Sequence, residues 1–126
     1  MSNVGPSRIT LLGTDNADGT VTGVVSGTSQ PIHRSDDGVL SFYIRGIGTV
    51  STGTLIIEEA DYSQTEVPYT STWSQIASIA LSGITGNAQQ AYHIIDSSYG
   101  YVRVRLSVAV TGGGSVSVVL RSRGAN

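Results

Sequence analysis

The sequence contains no cysteine and no lysine, and among its 126 residues there is one tryptophan, one phenylalanine and one methionine. Without cysteine there are no disulfides, no thiolate nucleophile and none of the sulfur-ligated zinc patterns, so the fold rests on packing and hydrogen bonds alone. Without lysine there is no Walker A phosphate-binding motif. Charged residues make up 13%, against about 25% in an average soluble domain. No apolar run approaches the roughly 18 residues that a membrane-crossing helix needs. The first residues, Met-Ser-Asn-Val-Gly-Pro, lack a basic stretch leading into an apolar one, so no secretory signal is expected and the chain reads as made soluble in the cytoplasm.

Glycine, serine and threonine are plentiful instead, and valine, isoleucine and leucine recur from end to end. That mixture suits a single β domain with a hydroxyl-rich solvent face. The net charge of −2 gives no global field toward nucleic acid or an anionic membrane, and neither is expected as a partner. All seven cations are arginine: Arg8, Arg34, Arg45, Arg103, Arg105, Arg121 and Arg123. The planar guanidinium fork favours fixed, paired contacts over general solvation.

Residues 1–7 read as a short flexible arm and residues 8–126 as one β-sandwich domain. Short β-branched runs alternate with turn residues, which predicts strands at Arg8–Leu12, Thr20–Val25, Val39–Arg45, Thr54–Glu59, Trp73–Leu81, Gln90–Ile95, Tyr101–Val110 and Ser115–Arg123. The segment Thr72–Leu81 also fits a short helix, and its β neighbours favour the strand. The expected architecture is all-β, a single antiparallel sandwich that is jelly-roll-like, with an immunoglobulin-like sandwich as the alternative.

Tyr101–Val110 is the clearest strand. Val102, Val104, Leu106, Val108 and Val110 fall on one side, and Tyr101, Arg103, Arg105, Ser107 and Ala109 on the other. Ser115–Arg123 alternates in the same way, and Thr111-Gly112-Gly113-Gly114 reads as the glycine loop closing an antiparallel hairpin between the two. With Val110 opposite Val116, Arg105 faces Arg121 and Arg103 faces Arg123, and a register shifted by two residues still leaves Arg103 facing Arg121. Four guanidinium groups then share one patch, which makes Arg103, Arg105, Arg121 and Arg123 the candidate partner-binding face. Like charges directly opposed disfavour the sheet by about 0.2–1 kcal/mol per pair. Relief is expected from interleaved carboxylates such as Glu58 or Asp96, from a bound anion, or from an acidic partner protein.

The search for chemistry is brief. There is no Gly-x-Ser-x-Gly elbow, and Gly46-Ile47-Gly48 lacks the continuation of a dinucleotide loop. His33 and His93 read as isolated sheet histidines, so no metal and no cofactor is expected. Asp15-Asn16-Ala17-Asp18-Gly19 reads as a β-turn, since the distal glutamate of a calcium loop is missing. Glu58 and Glu59 are adjacent in a strand and point to opposite faces, so they do not form a catalytic pair. No catalytic residue is assigned. Tyr62, Tyr69 and Trp73 are the densest aromatic stretch and the candidate ligand contacts. A lone tryptophan in a small sandwich more often belongs to the core, while the tyrosines sit in a long loop of a kind that is usually functional.

The C-terminal half runs Thr72-Trp73-Ser74-Gln75-Ile76, then Tyr101-Val102-Arg103-Val104-Arg105, then Gly112-Gly113-Gly114-Ser115-Val116-Ser117-Val118-Val119-Leu120-Arg121. Over residues 39–123 this pattern resembles the small β-sandwich modules of tailed-bacteriophage virion proteins, of capsid decoration (cement) or head-fibre type. The resemblance implies a non-enzymatic virion protein that binds the major capsid protein or other virion proteins, forms a homo-oligomer such as a trimer, and carries no catalytic residue. A carbohydrate- or receptor-binding module of a phage tail or fibre is the alternative.

Overall fold

A computed structural model describes residues 7–34, 39–60, 73–84, 88–94 and 100–123. Among the described residues there are ten strands: β1 (Ser7–Leu12), β2 (Thr14–Asp15), β3 (Val21–Thr22), β4 (Ile32–Arg34), β5 (Val39–Ile47), β6 (Thr52–Ala60), β7 (Ser74–Ala80), β8 (Gln89–Ile94), β9 (Gly100–Thr111) and β10 (Ser115–Arg123). They form two four-stranded sheets, β1-β10-β5-β8 and β4-β9-β6-β7, plus a small β2-β3 ribbon. Every pairing within them is antiparallel. Taking the members of the two large sheets in chain order, only β6 and β7 are consecutive neighbours in one sheet; each other step crosses to the opposite sheet. This is the antiparallel β-sandwich expected from the strand pattern. Of the arm expected over residues 1–7, only Ser7 lies among the described residues, and it opens β1 opposite Ser122.

Alternation explains the core. From the first sheet Leu40, Phe42, Ile44, Val116, Val118 and Leu120 point inward, and from the second Leu55, Ile57, Ala77, Ile79, Val102 and Val104 meet them in one cluster. Val50, Leu81 and Ile84, from the connections, close its ends. The segment Gly23–Ser29 fastens one side of the sandwich. Val24 exchanges two backbone hydrogen bonds with Val116 of β10, after which Val25, Gly27 and Ser29 bond Val110, Leu106 and Val104 of β9. Backbone donors along the flanks of both sheets are thereby satisfied. The buried Ser29 hydroxyl also accepts from the Val104 amide at 2.9 Å.

The connection Thr111-Gly112-Gly113-Gly114 corrects the hairpin reading. β9 and β10 lie in different sheets, and the glycines form an arch between them. The arch presses against the β5–β6 connection, which also crosses between sheets: Ser51 N donates to Thr111 O and Gly114 N to Thr49 O, each at 2.8 Å. A Cβ on Gly112 would lie 2.5 Å from the Ser51 hydroxyl and 2.9 Å from its amide nitrogen, and one on Gly114 would lie 2.4 Å from Ile47 O. Glycine is needed here for close backbone approach, and at Gly112 also for its φ of 109°. Gly112→Ala is expected to lower stability by about 1–2 kcal/mol, because it adds positive-φ strain to the clash. Urea denaturation reads the difference; an unchanged midpoint contradicts the two-arch packing.

Strict alternation also fails within β9. The pairing to β6 runs from Leu55↔Leu106 to Thr54↔Val108 and then Thr52↔Thr111. Two irregularities therefore insert extra residues on the β9 side. The first turns Val108 outward, where it is 50% exposed, and the second returns Val110 to the core at 6%. Two bulges cancel in side-chain parity, so only the stretch between them is reversed.

Candidate functional site

The four arginines predicted to share a face are divided between the two sheets. Arg103 and Arg105 lie on the outer face of β4-β9-β6-β7, and Arg121 on the outer face of β1-β10-β5-β8, opposite Ser41 and beside Arg8. Arg123 is placed as the strand partner of Val39. The sandwich interior separates the two pairs. The single patch expected from sequence does not form, because the glycine connection crosses between sheets.

On the second sheet the carboxylate anticipated between the arginines is present. Glu58 is the cross-strand partner of Arg103. Its Oε1 accepts from Arg103 Nε at 2.9 Å, and its Oε2 lies 3.0 Å from Arg105 Nε. One carboxylate thus bridges two guanidinium groups two residues apart on β9. Glu58 itself is only 5% exposed. Burial opposes its ionisation, but the hydrogen bonds and charges of both arginines outweigh it and hold the carboxyl below its ordinary value of 4.5. Asp96 lies outside the described residues.

Trp73 belongs to this face and not to the core. β7 pairs Ala77 with Ile57 but Gln75 with Glu58, leaving Ile76 as an extra residue. That bulge shifts the parity of everything before it. Trp73, which alternation alone puts with Ala77, Ile79 and Leu81, is half-buried, with the Arg103 guanidinium carbon 4.1 Å from its ring centroid. Stacking of this kind contributes about 0.5–1 kcal/mol at an exposed site. Glu58, Arg105, Arg103 and Trp73 therefore form a continuous polar and aromatic strip. Tyr62 and Tyr69, the other candidate ligand contacts, lie outside the described residues.

The first sheet carries a concave site that sequence reasoning did not assemble. The β2-β3 ribbon folds over the outer face of β10, and the turn at its tip is built as expected from Asp15–Gly19. Asp18 accepts from the Thr20 amide at 3.0 Å and the Thr20 hydroxyl at 2.6 Å, and Gly19 takes a φ of 90°. Gly13, at the ribbon's base, would bring a Cβ within 2.9 Å of the Ser117 Cβ. Under this cover Ser117 and Val119 are only 3% and 8% exposed although they point away from the core. A cavity of about 270 Å³ results, and Arg8, Arg45, Arg121, Tyr43 and Gln89 are among its walls. Asp15 in the same wall pairs with Arg8, whose hydrogen bond and charge lower its pKa. Among the described residues no group of histidines and carboxylates is arranged to hold a metal ion.

No family model matches the chain, and no curated protein matches it. Among solved structures it is similar to the K1 cleaved adhesin domain of Lys-gingipain from Porphyromonas gingivalis W83. The TM-score is 0.55 at 9% identity, covering 90% of this chain and 72% of that one. The SPBc2 prophage-derived protein YomS aligns with a TM-score of 0.49 at 10% identity, over 97% of this chain and 99% of that one. At 9% identity the likeness to the adhesin domain is one of fold alone.

Proposed function

We propose that this chain is a non-enzymatic structural protein of a tailed-phage particle, a capsid decoration protein that binds and stabilises the assembled head. The observation that carries a role in binding is where its chemistry sits. Apolar side chains fill the space between the sheets, and the charged and aromatic groups lie on two outer faces. A sandwich of this kind works by what it touches. The resemblance of residues 39–123 to phage virion modules supports the particle as the setting. A protein that binds only the assembled shell stabilises that state by mass action, and many copies multiply a modest contact. The major capsid protein is the proposed partner, with self-association into a trimer as the form that docks.

The test is mass spectrometry of heads and tails separated from purified particles of the encoding phage. The chain is expected in the head fraction in many copies per particle, and light scattering of the isolated protein is expected to give a trimer mass. Its restriction to tails, or its absence from particles, overturns the reading. A receptor-binding role is the second reading, favoured by Trp73, whose half-exposed ring beside Arg103 offers a stacking surface for a sugar. A glycan array separates the two: binding lost on Trp73→Ala supports the receptor role.

A further inference from the structure

The cavity beneath the β2-β3 ribbon has an uneven charge balance. Three of its wall residues are arginines, Arg8, Arg45 and Arg121, against one carboxylate, Asp15. Asp15 is committed to Arg8 and also accepts from the Thr10 hydroxyl at 3.2 Å. Arg45 and Arg121 are exposed, and neither has an ion-pair or hydrogen-bond partner among the described residues. This contrasts with Arg103 and Arg105 on the other sheet, which share Glu58. Two uncompensated guanidinium groups thus border one concavity.

Strand register arranges them at its two ends. Arg121 pairs with Ser41 and Arg45 with Ser117, and between them Val119 pairs with Tyr43. Arg45 and Ser41 are four residues apart along β5, so the two arginine positions are separated by about 14 Å at roughly 3.4 Å per residue. The floor between them is apolar and aromatic, and Gln89, the β8 partner of Arg45, adds an amide at one end. The cavity, about 270 Å³, lies just below the range of sites for drug-sized ligands, which starts near 300 Å³.

We propose that this cavity binds a small ligand bearing a carboxylate or phosphate group, of about the size of one acidic sugar. The forked donors of Arg45, beside the Gln89 amide, take its oxyanion oxygens and those of Arg121 take its hydroxyls at the far end, while Tyr43 and Val119 pack against its ring. Guanidinium suits both carboxylate and phosphate because its parallel N–H groups match their oxygen spacing. The proposal is independent of the capsid role: a head protein and a receptor-binding protein can each carry such a site.

The experiment is titration of the full chain, followed by amide chemical shifts, with glucuronate, glucose 6-phosphate, inorganic phosphate and neutral glucose as separate probes. At millimolar concentration the acidic probes are expected to move the amides of Tyr43, Ser117, Val119 and Arg121, and glucose is not. Glucuronate acting alone assigns a carboxylate site. Glucose 6-phosphate and inorganic phosphate acting alike assign a phosphate site. The double variant Arg45→Gln/Arg121→Gln is expected to weaken binding at least about tenfold while retaining the native spectrum, because both side chains are exposed. Ser78→Ala, at an exposed position of β7 on the opposite sheet, is expected to leave binding unchanged. No shift with any acidic probe, equal shifts with glucose, or undiminished binding in a folded double variant overturns the proposal.

Discussion

Phe42→Ala is expected to lower the unfolding free energy by about 3–5 kcal/mol, the range for removing a fully buried aromatic ring. Phe42 is 0% exposed and occupies the middle of β5, the strand between β10 and β8 in the first sheet. It is the sequence's one phenylalanine, and its neighbours in the cluster are aliphatic side chains of both sheets. Interiors pack at crystal-like density, so this space is not refilled without moving strands. Against a total of about 5–15 kcal/mol for a typical domain, the loss leaves a marginal fold. Urea denaturation of the variant and of Phe42→Leu checks it. The leucine variant is expected to recover much of the loss, and equal midpoints for wild type and Phe42→Ala contradict the sandwich core.

Glu58→Gln is the second large effect, expected at about 2–3 kcal/mol. The amide keeps the shape but removes the charge that Arg103 and Arg105 share, and its NH₂ group is a donor facing donors. Breaking a fully buried pair costs about 3–5 kcal/mol; the estimate is lower here because the two arginine side chains are 25% and 37% exposed. The pH dependence follows from the direction of the shift. The folded-state pKa of Glu58 lies below its ordinary value of 4.5. Its contribution is therefore present above that value and is lost as pH falls through the folded-state value. The stability gap between wild type and Glu58→Gln is expected to be full near about pH 7 and to shrink below about pH 4. A gap of equal size at both ends would show that the ion pairs contribute nothing. Asp15, also lowered by its arginine, titrates in the same direction and is common to both proteins, so it does not enter the difference.

Legibility varied with the kind of signal. The strand over residues 74–80 was readable despite its partial helical pattern, because the flanking β runs left it little choice. The pairing of Glu58 with the β9 arginines was readable as a possibility, since like charges on one face need a carboxylate between them. The position of Trp73 was not readable. A single extra residue, Ile76, reverses its side, and nothing in Thr72-Trp73-Ser74-Gln75-Ile76 marks a bulge. Val108 was misplaced for the same reason. β2 and β4, with two and three residues, are too short to carry a period at all.

Alternation of apolar and polar residues determined by itself that the chain is a β-sandwich and which residues form most of its strands. Those are local properties, written in the order of side chains along each strand. Tertiary structure alone decided which strands are neighbours, and through that which arginines meet. The run Thr111–Gly114 permits a hairpin or an arch equally well, and its path depends on a backbone sixty residues earlier, at Thr49 and Ser51. Once that arch parts β9 from β10, Arg103 and Arg105 share Glu58 on one face. Arg121 is left with Arg8 and Arg45 on the other, around a cavity that exists only because the β2-β3 ribbon folds over it.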